Sequence, residues 1–190
     1  MMDRLVNLVI AVSTLAAAWL DWQQDGRFQP LRFRFSLRYF TMQSNLLCAL
    51  AALCLCLWPG AAWAWMLKYL GTAAVAVTLL TVLCYLGPTR GYRNLLSGTG
   101  FVMHLSTPVL AILSFCLLER RSLAFPTALW GVTPVVVYGA HYVYRVILAP
   151  PERAWEDIYS FNQNGRWYVA LVVMLGLTVA VCAALALGNG

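Results

Sequence analysis

Six long apolar runs constrain this chain more than any other feature. They lie at roughly 5–22, 39–58, 69–86, 99–118, 124–147 and 167–187, and the third can begin earlier. About 20 apolar residues in a helix cover the hydrocarbon core of a bilayer. Inside lipid, each backbone N–H and C=O needs a partner within the protein, which commits such runs to helices and excludes open sheet edges. The expectation is an all-α integral membrane protein, a bundle of six transmembrane helices forming a single domain over 1–190.

Composition agrees. Of the 190 residues, 62% are hydrophobic and 11% charged, with a mean hydropathy of +0.72. Soluble domains carry about 25% charged residues. Ala16-Ala17-Ala18 resembles a signal-peptide cleavage site. However, the region before it holds one arginine offset by Asp3, and the apolar run continues to Trp22 at a plausible interface. The first run therefore reads as a span. The cysteines Cys48, Cys54, Cys56, Cys84, Cys116 and Cys182 all sit inside apolar runs without a Cys-x-x-Cys, which fits small apolar residues and not a disulfide or zinc framework.

The connectors differ by side. Three long ones, roughly 23–38, 87–98 and 148–166, hold nine of the 13 Lys and Arg together with the adjoining helix ends. Arg4, Lys68, Arg120 and Arg121 lie opposite. The positive-inside rule then places the long loops in the cytoplasm, in the setting of a bacterial inner membrane. The first long loop alternates basic and aromatic residues: Arg27-Phe28, Arg32-Phe33-Arg34-Phe35, Arg38-Tyr39-Phe40. Beside a span this reads as a grip on anionic headgroups, not as a platform for single-stranded nucleic acid. The expected partners are membrane lipids, with no nucleic acid.

Polar residues gather in the half of the membrane next to those loops. Thr41, Ser44, Asn45 and Cys48 recur at helical spacing on one face of the second run, with Gln43 beside them. Tyr138, His141, Tyr142 and Arg145 form a similar stripe on the fifth, and Thr78, Thr81 and Tyr85 on the third. His104 stands in the fourth, with Pro108 four residues on. That proline cannot donate to the carbonyl of residue 104 and is expected to kink the helix there. The opposite half reads as Leu, Val, Ala and Cys, with no carboxylate deep in a span, which weakens a proton- or sodium-coupled carrier. Intramembrane polar groups face the bundle interior and often mark a functional site.

Two chemistries fit two histidines at similar depth. A neutral imidazole can take the proton of a Thr or Ser hydroxyl as it attacks an ester, with Asn45 or backbone N–H groups as donors to the oxyanion. Alternatively His104 and His141 ligate a haem iron or another metal. The bland reading of each Thr, Ser and Asn is a hydrogen bond between helices. No nucleophile elbow, His-Glu-x-x-His or P-loop is present.

Phe40-Thr41-x-Gln43-Ser44-Asn45-Leu46-Leu47, followed by Phe101-Val102-Met103-His104-Leu105-x-x-Pro108, resembles the androgen-induced/FAR-17a-like family and its bacterial relatives. The six-run layout and the size fit over nearly the whole chain, whereas the third long loop aligns with no motif. The resemblance implies an intramembrane threonine hydrolase of lipid esters, such as fatty acid esters of hydroxy fatty acids. Thr41 would be the nucleophile and His104 the base, and no cofactor or metal would be needed. Gln43, Ser44, Asn45, Tyr138, His141 and Tyr142 are the expected substrate-binding residues. A lipid or small-solute carrier is the non-enzymatic alternative.

Overall fold

A computed structural model describes residues 2–190. The fold is all-α apart from a hairpin of two residues per strand, Gln23–Gln24 against Arg27–Phe28. Among the described residues, five helices are long and apolar enough to cross a membrane: α1 (Met2–Asp21), α3 (Phe40–Leu57), α4 (Ala62–Arg90), α5 (Thr99–Leu117) and α7 (Trp167–Asn189), with α2 (Pro30–Ser36) a short helix after the hairpin. The predicted fifth run is not one regular helix. It is a turn at Phe125–Ala128, a 3-10 segment at Leu129–Val132, α6 (Thr133–Val143) and a π-helical turn at Tyr144–Leu148. Pro134 at the start of α6 suits a helix's first turn but cannot donate a helical bond within a longer one.

α4 is the axis. Every residue from Gly71 to Leu79 is buried, as expected of a helix that is apolar all round and surrounded by others. α3 and α5 pack on one side of it with α1 against both of them, and α6 and α7 pack on the other. α3 presents Ala49, Ala51 and Ala52 inward, and a Cβ at Gly71 would lie 2.8 Å from Cys48 Cα. Small residues at this crossing let the two backbones touch, which is how helices gain van der Waals contact where lipid supplies no hydrophobic drive. The outer face is strongly apolar. Val172 is 67% and Leu187 84% exposed, and Leu5, Val12 and Leu20 also face outward. Large apolar patches of this kind suit lipid contact.

Three π-helical turns, Val82–Leu86, Val102–Ser106 and Tyr144–Leu148, each end two residues before a proline: Pro88, Pro108 and Pro150. Each proline withholds an N–H from the carbonyl four residues back and crowds it. The preceding turn widens to i→i+5 bonding, as π-turns inside helices do. The kink expected at His104 takes this form.

The far end of the bundle overturns the expectation of an apolar outer half. α4 begins at Ala62 and not near residue 69, so Lys68 falls inside a helix and is fully buried. Its Nζ lies 3.7 Å from Glu119 Oε1 and donates to Asn7 Oδ1 at 2.7 Å and to Ser114 Oγ at 3.3 Å. Asn7 Nδ2 donates to Glu119 Oε1 at 2.6 Å, and Ser114 Oγ donates to the same oxygen. Asn189 Nδ2 bonds the carbonyls of Phe115 and Glu119 at 2.7 and 3.2 Å. One neutralised pair thereby clamps α1, α4, α5 and α7. Glu119 follows the apolar run of α5, and the chain folds it back, buried, under the helix ends.

Candidate functional site

The start of α3 is the centre of the opposite end. Tyr39, the residue before the helix, is extended and offers no side-chain cap. The exposed first N–H, that of Phe40, donates instead to the hydroxyl of Tyr159 at 2.9 Å. Gln43 Nε2 donates to the Leu37 carbonyl at 2.7 Å and fixes the turn into the helix. Ser44 Oγ meets Thr78 Oγ1 at 2.9 Å and joins α3 to α4.

Asn45 is fully buried and spends its amide on two carbonyls, Thr41 O at 2.8 Å and Met103 O at 3.0 Å. Both contacts demand a donor, which fixes the orientation of the amide. Asn45 therefore has no N–H left for an oxyanion, contrary to the expectation. Its free atom is the acceptor Oδ1, buried and without a partner among the described residues. What Asn45 does is tie the peptide of Thr41 to that of the residue before His104.

His104 sits in the π-turn, and its Nδ1 is 2.7 Å from the Leu95 carbonyl. A carbonyl only accepts, so Nδ1 carries the proton and Nε2 of the neutral ring keeps its lone pair. Gly100 makes the contact possible. A Cβ there would stand 2.6 Å from Leu95 O and would drive that carbonyl away.

An apolar cavity opens between α3, α4, α6 and α7, with about 820 Å³ of empty space including its mouth. Thr41, Thr78, Thr81, Tyr138 and Tyr142 are the hydroxyl-bearing residues of its helical wall. The third long loop folds over it, with Tyr159, Phe161 and Asn162 on the lining. Asp157 organises that loop. Its carboxylate accepts from Tyr142 Oη at 2.6 Å, Phe161 N at 2.9 Å and Asn162 N at 2.7 Å. Partial burial raises the Asp157 pKa, but these donors outweigh it and hold the carboxyl below its ordinary value. Burial pushes the Tyr159 hydroxyl up to about 12, so it stays a neutral phenol.

The sequence-predicted residues divide. Thr41, Tyr138 and Tyr142 share the apolar cavity. Gln43 and His141 line a second, open cleft with Arg38, Arg145 and Trp155. Ser44 and Asn45 lie behind Thr41 in the helix contacts, and His104 lines neither space. The stripe read on the fifth run is thus two faces. Tyr138 and Tyr142 turn inward and are buried, while His141 is exposed and stacks edge-on against Trp155 at 5.0 Å. Residues three apart on a helix are neighbours, but a bundle with a partner on each flank divides them. His104 and His141 consequently have separate surroundings, which gives a shared iron or metal no support.

Asp157, which holds the third long loop, and Tyr159, on the cavity lining, were not singled out from the sequence. Their signal was a carboxylate and several aromatics in one loop, Trp155, Tyr159 and Phe161, which is more than a simple connector needs. Comparison of the chain with protein-family models, curated proteins and solved structures finds no match.

Proposed function

We propose that this chain is a six-crossing membrane protein that hydrolyses lipid esters, with the acyl chain in the apolar cavity. The broken helix over 125–148 makes the sixth crossing, and the three basic loops face the cytoplasm. With Lys68 buried in an ion pair, the basic residues left opposite are Arg4, Arg120 and Arg121, which strengthens that orientation. The observation that carries the reading is the Asn45 bridge. It joins the peptide of Thr41, on the cavity wall, to the turn holding His104, whose free Nε2 has the lone pair a base requires. Such a cavity, apolar with a few polar groups on its wall, suits a lipid chain.

Thr41 Oγ attacks the ester carbonyl and its proton passes to His104 Nε2. The tetrahedral intermediate collapses, the alcohol leaves with that proton, and an acyl-threonine remains. Water, deprotonated by the same nitrogen, then releases the fatty acid and restores the threonine. With the Asn45 donors spent, the side-chain amide of Asn162 on the cavity lining is the group to receive the oxyanion.

One observation favours a carrier instead: the imidazole does not line the cavity, so the cavity can hold a lipid without it. Turnover of 4-nitrophenyl esters of graded chain length, by wild type, Thr41→Ala and His104→Ala, separates the two. Loss of turnover in both variants supports the hydrolase. Full turnover in both ends it, and retained lipid binding without turnover in any form leaves the carrier.

A further inference from the structure

The second cleft is independent of the ester chemistry. It is bounded by α2, the start of α3 and the end of α6, and encloses about 1380 Å³ including open solvent. Four arginines line it, Arg32, Arg34, Arg38 and Arg145, with His141 and Gln43, and no acidic side chain is on the lining. Among the described residues the ion pair within 4.0 Å is Lys68–Glu119 at the other end of the bundle. Asp21 interacts electrostatically with Arg32 at the edge of the cleft, while Arg34, Arg38 and Arg145 have no described carboxylate within that distance. Like charges brought together without a counter-charge repel one another, which asks for an anion from outside.

The arginines are oriented. Trp155 stands at the centre, its backbone N–H donating to the Arg145 carbonyl at 2.9 Å. The Arg145 guanidinium lies 4.9 Å from its ring centroid, and that of Arg38 lies 5.5 Å from the same ring and 5.3 Å from Phe35. Stacking on aromatic rings fixes the guanidinium planes and leaves their N–H edges free, the arrangement that grips phosphate bidentately. Arg145 supplies the second, independent sign: its Nε–H is buried and has no acceptor. A buried donor without a partner is costly, and a turn of the Arg145 side chain towards a phosphate oxygen in the cleft would relieve it.

We infer that this cleft is a phosphate-binding site, with Arg38 and Arg145 as its clamp and Trp155 as the plate that holds them. The phosphate comes from an anionic lipid headgroup at the membrane surface or from a free phosphate ester. Gln43 and His141 line this cleft and not the apolar cavity.

The test is equilibrium binding of radiolabelled dioctanoyl phosphatidic acid to the full chain in dodecyl maltoside. Wild type is expected to bind one equivalent saturably, with dioctanoyl phosphatidylcholine a poor competitor. Arg38→Gln and Arg145→Gln each weaken binding at least about tenfold, while Arg93→Gln, a loop arginine outside the cleft, changes it less than about twofold. Should the glutamine variants fail to fold, Arg38→Lys and Arg145→Lys keep the charge and still weaken binding by losing the planar fork. Displacement by millimolar inorganic phosphate identifies a free phosphate ester as the source, and resistance to it identifies the lipid. Absence of saturable binding, equal displacement by phosphatidylcholine, or clamp variants no weaker than Arg93→Gln would each overturn the site.

Discussion

Asn45 Nδ2 donates to the backbone carbonyl of Met103 across 3.0 Å. This bond joins α3 to the π-turn of α5 at the point where the polar run of one helix passes the lone histidine of the other. The same nitrogen holds the Thr41 carbonyl, so one side chain links the two backbones.

Asn45→Ala removes both bonds and strands a buried carbonyl at Met103. A stability loss of about 1–3 kcal/mol is expected, read as a lower thermal midpoint in detergent. Asn45→Asp should be at least as harmful, because a carboxylate cannot donate to either carbonyl.

Gly100→Ala places a methyl 2.6 Å from the Leu95 carbonyl. The shift breaks the hold on His104 Nδ1 and frees the ring to change tautomer. On the hydrolase reading, kcat/KM falls by about tenfold or more, and the thermal midpoint falls as well because the atom that must move is backbone. Unaltered turnover would separate His104 from the chemistry.

Lys68→Met alone leaves Glu119 charged and buried, and Glu119→Gln alone leaves Lys68 so. Each single change should cost about 3–5 kcal/mol, whereas the double variant recovers most of it. Thermal unfolding of the three variants and wild type forms the double-mutant cycle that measures the pair. Independent, additive losses would show that the clamp does not act as a pair.

Asp157 gives a pH test of the loop. Its folded pKa lies below the unfolded one, so the stabilisation is full above the unfolded value of about 3.9 and lost as pH falls through the folded value. The protection factors of the Phe161 and Asn162 amides, each taken relative to intrinsic exchange at the same pH, should therefore be high at neutral pH and fall in acid. In Asp157→Asn they should be lower at neutral pH and nearly insensitive to acid. Equal protection in both proteins at pH 7 would mean that the carboxylate does not hold the loop.

Much of this architecture was legible in the residues. Apolar run length gave α1, α3, α5 and α7 to within three residues, whereas α4 reaches back to Ala62, and Pro108 gave the distortion at His104. Helical spacing identified Thr41, Ser44 and Asn45 as one inward face. Spacing alone did not divide Tyr138 and Tyr142 from His141 and Arg145, because that division depends on which neighbours flank α6. Nor could it find the Lys68–Glu119 clamp, whose members are 51 positions apart in sequence and whose carboxylate follows the apolar run. The role of Asn45 also needed coordinates. An amide can donate or accept, and only its two carbonyl partners decide which.

The proposed role of Thr41 as nucleophile is tested by intact mass after treating detergent-purified wild type, Thr41→Ala and His104→Ala with a fluorophosphonate probe. The expected result is a single adduct on wild type, mapped to Thr41 by peptide sequencing, and none on either variant. An adduct of equal yield on Thr41→Ala, or no adduct on a folded wild type that nonetheless binds lipid, would contradict the hydrolase and leave a lipid carrier.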